Sequence, residues 1–291
     1  MAESKGQKLR GRLLVMHAAI QRAVAALLMS ALTLGAQQAP APVVPPVEAW
    51  QLITPPQSSQ VYARDGSLIG EIGREWRTIV SLKTLPAYLP NAFIAVEDQR
   101  FYSHNGVDLM GIAGAIKDNL LGASRGASTI TQQLVGNMHP DLVNRRDPSP
   151  MRKLREQKAA IEMTRRYSKA QVLEAYLNQI NFGHGWYGVE TAARHYFGKP
   201  AAQVTLAEAA TLAALPKSPV QYDPGKFPER SKNRRDAILA LMVQQKMVTR
   251  QDADAAKREP VKTAPGDGMS AAAPWYVDAV RAQAERAGIP V

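Results

Sequence analysis

Three stretches of this sequence gather side chains suited to acid–base and electrostatic chemistry. The first is Ala95-Val96-Glu97-Asp98-Gln99-Arg100-Phe101-Tyr102-Ser103-His104-Asn105-Gly106-Val107-Asp108. It opens as an apolar helix, Ala92 to Val96, so Glu97 falls at the helix end. A carboxylate there, turned to a cleft, loses part of its hydration, becomes more basic and is suited to proton abstraction. A Glu-Asp pair is also an ordinary solvated helix end. The second stretch is Arg125-Gly126-Ala127-Ser128-Thr129-Ile130-Thr131-Gln132-Gln133. A glycine turn ahead of hydroxyl and amide side chains presents free N–H groups and short donors to a phosphate or a sugar; its ordinary role is a helix cap. The third is a basic run, with Arg145, Arg146, Arg152, Lys153, Arg155, Lys158, Arg165, Arg166 and Lys169 against Asp147, Glu156 and Glu162. It reads either as a solvated helix or as a cationic wall for a diphosphate and anionic lipid, with Glu156 as a second carboxylate.

Helices are the elements that must position these groups. The pattern is helical from about Leu89 to Val248. Ser168 with Gln171, and Thr205 with Glu208, are capping-box pairs. Behind the first, Val172, Leu173, Tyr176, Leu177 and Ile180 share one face. Behind the second, Leu206, Ala209, Ala210, Ala213 and Ala214 do so until Pro216. Val61 to Gly70, with Asp65-Gly66 at its centre, reads as a hairpin, and Trp275 to Ala287 as a short C-terminal helix.

The amino terminus reads as an uncleaved membrane anchor, with a cleaved signal as the alternative. Lys5, Lys8, Arg10 and Arg12 precede an apolar run over 13–36, an orientation that keeps that end in the cytoplasm and exports the rest. Arg22 inside the run costs about 3 kcal/mol at a bilayer centre. Pro40, Pro42, Pro45, Pro46, Pro55 and Pro56 then form a stiff linker. The net charge of +11 and pI near 9.9 call for an anionic partner. The absence of cysteine excludes disulfides, thiolate metal sites and cysteine nucleophiles. No His-Glu-x-x-His cluster occurs, and the basic stretch lacks the interleaved aromatics of a nucleic-acid binder.

In order, the motifs resemble glycosyltransferase family 51, the peptidoglycan glycosyltransferase domain of class A penicillin-binding proteins and monofunctional transglycosylases. The resemblance is carried by Glu97-Asp98-x-x-Phe101-x-x-His104-x-Gly106, the Gly126 to Gln133 stretch, Arg152-Lys153-x-x-Glu156, Leu173-Glu174-x-Tyr176-Leu177-Asn178 and Arg234-Arg235. Gly188-Val189-Glu190 and Tyr196-Phe197-Gly198-Lys199 lie between the last two. Ala127 stands where glycine is common. The resemblance implies a mainly α, lysozyme-like domain over 59–250, after the cytoplasmic tip and anchor helix (1–36), the linker (37–58) and a small hairpin. It implies polymerisation of lipid II into glycan strands by inverting transfer, with release of undecaprenyl diphosphate.

By motif position, Glu97 and Glu156 are the implied catalytic residues, Glu97 as general base. Asp98, Ser128, Thr129, Gln132, Gln133, Arg152, Lys153, Arg234 and Arg235 would bind substrate. Glu156 matches the family's second carboxylate, which would orient the diphosphate-binding cations or help hold a divalent ion; Mg²⁺ or Mn²⁺ is the implied cofactor, and no organic cofactor is expected. His104 reads as structural, and Glu174 and Asn178 as braces of the cleft. The implied setting is the outer face of the bacterial cytoplasmic membrane, single-pass, with lipid II, the growing glycan and other cell-wall synthesis proteins as partners and no nucleic acid. Neither Ser-x-x-Lys nor Lys-Thr-Gly occurs, so no acylation by β-lactams is expected. The tail over 251–291 reads as a linker toward an absent transpeptidase domain, with a naturally monofunctional enzyme as the alternative. A glycan-cleaving lytic enzyme and a non-catalytic scaffold are the rival readings.

Overall fold

In the computed structural model, three helices begin where a hydroxyl residue and a Gln or Glu three positions on satisfy each other's backbone N–H groups. These capping boxes are Thr129 with Gln132, Ser168 with Gln171, and Thr205 with Glu208. The structure describes residues 50–65, 68–73, 75–120, 126–140, 143, 147, 149–264 and 274–289. All fall in one of two compact units, Pro45–Val291; the other is Met1–Val44. The expected anchor, the linker up to residue 49, Arg125, Arg145 and Arg146 lie outside the described residues. Among the described residues, no helix is long and apolar enough to cross a membrane.

The architecture is mainly helical. In chain order the elements are β1 (Ser59–Tyr62), β2 (Leu68–Ile72), β3 (Trp76–Arg77), α1 (Tyr88–Glu97), α2 (Leu109–Leu120), α3 (Ile130–Met138), α4 (Pro150–Arg166), α5 (Lys169–Gln179), β4 (Trp186–Tyr187), α6 (Val189–Phe197), α7 (Leu206–Ala214), α8 (Pro228–Gln244), α9 (Arg250–Arg258) and α10 (Pro274–Arg286). β1 and β2 pair antiparallel, from Ser59 opposite Ile72 to Tyr62 opposite Leu68. α10 closes a small apolar cluster on that pair, with Val277 against Val61 and Ile72.

α1 is the central helix. Leu89, Phe93, Ile94 and Ala95 are buried, and the helix packs against α7 and α8. The alanines of α7 (Ala209, Ala210, Ala213, Ala214) have no bulk to hold neighbours off, and short side chains permit close interaxial approach. α3 lies on α4 and α5, and α9 on α8. Glu174 and Asn178 of α5 are turned away from the cleft. The Glu174 carboxylate accepts from Leu82 N at 2.7 Å, and the Asn178 amide pairs with both N and O of Val80 at 2.9 Å. They brace the segment leading into α1 rather than the site, because an extended run with no strand partner needs side-chain partners for its backbone.

Candidate active site

The apolar face of α1 fixes where Glu97 must sit. Asp98 leaves helical geometry at φ −157° and ψ 74°, so Glu97 is the last helical residue and stands at the mouth of a cavity of about 400 Å³. Burial pushes its carboxyl above the ordinary glutamate value. The hydrogen bond from Gln133 and the charges of Arg234 and Lys217 pull the other way, and Asp98 adds to the rise. Gln133 Nε2 donates to Glu97 Oε2 at 2.8 Å, and its Oε1 accepts from the Tyr176 hydroxyl at 3.3 Å. A phenol on α5 thus orients the amide on α3 that orients the carboxylate on α1.

Asp98, expected to bind substrate, has its acceptors occupied within the protein. Only 5% exposed, it accepts from Ile130 N at 3.0 Å and meets His104 Nε2 at 2.9 Å. His104 Nδ1 accepts from Gly106 N at 3.1 Å, so the ring donates to Asp98 through Nε2. Gly106 O accepts from Thr129 Oγ1 at 2.6 Å. Asp98, His104, Gly106 and Thr129 together fasten the end of α1 to the start of α3. Thr129, also placed in the substrate-binding set, is buried as the cap of α3. Lys169 overlooks the same knot, its Nζ 4.5 Å from the Phe101 ring centre.

Glu156 stands on α4 with its partners one turn away. Arg152 Nη1 donates to it at 2.8 Å, Lys153 Nζ makes a short contact, and Gln132 Nε2 approaches at 3.3 Å. Lys153 also donates to Ser128 Oγ at 3.0 Å. A carboxylate so surrounded by donors and positive charge does not fit a divalent cation, which needs free oxygen lone pairs. Of the two expected roles of Glu156, its donor set matches the orienting of Arg152 and Lys153 rather than the holding of an ion.

Glu97 and Glu156 face common ground. A second cavity, of about 380 Å³, is lined by Glu97, Ser128, Gln132, Gln133, Arg152, Lys153 and Glu156, and shares Glu97, Ser128 and Gln133 with the first. Arg234 lines the first cavity but its neighbour does not. Arg235 is 1% exposed and donates to the carbonyls of Glu259 at 2.7 Å and Lys257 at 2.9 Å. As a substrate ligand Arg235 is corrected: it ties α8 to the end of α9. Sequence reasoning missed Lys217, which lines the cleft from the turn after α7. A lysine held between Pro216 and Pro219 was the available signal. The buried Nε–H groups of Arg152 and Arg234 have no hydrogen-bond partner among the described residues, and an anionic ligand would satisfy them.

A helical domain whose cleft sets a desolvated carboxylate beside several cations is chemically suited to an anionic ligand. The family described as Transglycosylase matches residues 65–243, and the chain belongs to that family. It is 43% identical to penicillin-binding protein 1A of Haemophilus influenzae over 207 residues, 70% of this chain and 24% of that protein. It is 42% identical to penicillin-binding protein 1A of Aquifex aeolicus over 217 residues, 74% of this chain and 29% of that protein. With penicillin-binding protein 1F of Bacillus subtilis the identity is 40% over 198 residues, 67% and 27% of the two chains. This chain thus spans about a quarter of the length of these relatives. The crystal structure of penicillin-binding protein 1A from Haemophilus influenzae aligns with TM-score 0.47 and 28% identity over 80% of this chain and 25% of that one.

Proposed function

We propose that this chain is a peptidoglycan glycosyltransferase that polymerises lipid II at the outer face of the cytoplasmic membrane. The observation that carries this reading is the shared ground of Glu97 and the cations Arg152, Lys153, Lys217 and Arg234. Glu97 removes the proton of the acceptor's 4-hydroxyl as that oxygen bonds to the anomeric carbon of the growing chain. The bond from that carbon to the diphosphate breaks with inversion, and its electron pair leaves with undecaprenyl diphosphate. This is general-base catalysis at an oxocarbenium-like centre. The departing charge is met by cations already in place, and no step is routed through a metal ion. The lysozyme-like architecture of the family belongs to the same reading, supported by a helical cleft headed by a glutamate.

The membrane setting has its own support. α2 buries only Gly111 and Ala115 among its residues, while Leu109, Met110 and Leu120 are 75%, 74% and 77% exposed. An apolar helix face of this kind on the element that lends Gly111 to the cleft suits seating on a bilayer that holds the substrate's lipid tail. Cell-wall synthesis proteins acting on the same strand are the expected partners.

The test is incubation of the purified chain with lipid II in phospholipid vesicles, and separately with intact sacculi. Lengthening lipid-linked glycan from the first supports the reading; soluble fragments from the second with no polymer from the first would replace it with a lytic one. Within this scheme Lys217→Ala raises the lipid II KM by about tenfold, the loss of one charge-assisted contact to a diphosphate. An unchanged KM would remove Lys217 from the substrate site.

A further inference from the structure

Lys217 reaches the cleft from residues 215–227, a connection between α7 and α8 built of turns rather than regular structure. Its local hydrogen bonds, such as Ser218 N to Leu215 O and Tyr222 N to Ser218 O, shape the turns without attaching them to the body. The same connection carries Tyr222, whose ring centre lies 5.9 Å from the Arg234 guanidinium carbon. The segment therefore carries one of the cleft's cations and passes near a second.

Asp223 is the segment's buried anchor. Its Oδ1 accepts from Gly225 N at 2.8 Å and Lys226 N at 3.1 Å, and its Oδ2 meets His184 Nε2 at 2.8 Å. His184 belongs to the loop between α5 and β4, which is fixed on several sides. The Tyr196 hydroxyl donates to Phe182 O at 2.9 Å, Asn181 Oδ1 accepts from Gly183 N at 2.7 Å, and the His184 ring lies 4.5 Å from the Trp186 ring. His184 holds φ +55°, between Gly183 at +91° and Gly185 at +80°. A non-glycine residue in the left-handed region is costly and persists where its surroundings demand it. Here the strained backbone aims the imidazole at Asp223. The loop also meets the connection directly, since a Cβ on Gly183 would lie 3.1 Å from Pro219 Cβ.

We infer that His184 is a positioning residue: its hydrogen bond to Asp223 clips the 215–227 connection to a rigid loop and so sets Lys217 at the cleft. The kinetic part rests on the glycosyltransferase reading above. The imidazole donates through Nε2, since a carboxylate oxygen accepts. The clip touches no reacting atom and acts through Lys217 on substrate affinity.

His184→Gly removes the ring while keeping a backbone at ease with positive φ, and His184→Gln returns an N–H donor at similar reach. For His184→Gly the lipid II KM rises about tenfold with kcat within about twofold, and His184→Gln recovers most of that loss. In a Lys217→Ala background the same glycine substitution adds less than about twofold, since the two changes share one route. Amide exchange at Gly225 and Lys226 quickens in His184→Gly whatever the chain's activity, and thermal melting confirms that the variants are folded. Fully multiplicative effects of the two substitutions, equal losses in kcat and KM, or unaltered exchange at both amides would each overturn the clip. A wild-type chain that makes no polymer would defeat the glycosyltransferase reading, while the exchange measurement still decides whether His184 holds the connection.

Discussion

Glu97→Gln loses about 10³-fold in lipid II polymerisation, the scale of removing a general base, while melting no lower than the unaltered chain. The two halves of this expectation have one cause. Burial raises the Glu97 carboxyl above its ordinary value of 4.5, so the fold prefers it protonated. The stability this group contributes is present below its unfolded value and is lost as pH rises through the raised folded one. At neutral pH the ionised carboxylate therefore weakens the fold, and a neutral amide relieves that. Glutamine also keeps an oxygen to accept from Gln133 Nε2. In the unaltered chain the base must be ionised, so the rate falls with acidity and its acid limb lies above pH 4.5. Retained polymerisation in the variant, or an acid limb at or below that value, would take Glu97 out of the mechanism.

Gly106→Ala destabilises the fold by about 3 kcal/mol, through positive φ and overpacking together. Gly106 sits at φ +92°, and an added Cβ would lie 2.3 Å from the carbonyl oxygen of Ala160 and 2.5 Å from its carbon. Both are main-chain atoms of α4, which cannot swing aside as a side chain could. Relief moves the loop and breaks the bonds from Gly106 N to His104 and from Thr129 to Gly106 O, which orient Asp98 next to Glu97. A melting temperature lower by on the order of 10 °C, with activity lost in parallel, is the expected reading. Gly126→Ala is the control, because its Cβ would meet nothing within 4 Å. If both variants melt together with the unaltered chain, the close approach of loop and helix is not what holds this region.

How much of the site was legible in advance differs from residue to residue. Arg152, Lys153 and Glu156 could be grouped from spacing alone, since positions three and four apart on a helix are neighbours. Gln132 and Gln133 could not be told apart in the sequence. Adjacent helical residues point about 100° from each other, and the placement of α3 sends Gln133 to Glu97 and Gln132 to Glu156. Arg234 and Arg235 repeat the case: the same rotation puts one at the cleft and buries the other against α9. The membrane segment read at the amino terminus falls on residues outside the described ones.

What the chain settles locally is therefore its helices, three of their starts, and a glutamate at the end of an apolar one. Periodicity and capping act within a few residues and need no partner from elsewhere. The tertiary structure alone decided that Glu97 and Glu156 share a cavity, that Asp98 ties α1 to α3 while lining the same cleft as Glu97, and that a lysine from a proline-bounded turn joins them. Those outcomes depend on which way neighbouring helices face when they pack, and no stretch of sequence fixes that by itself.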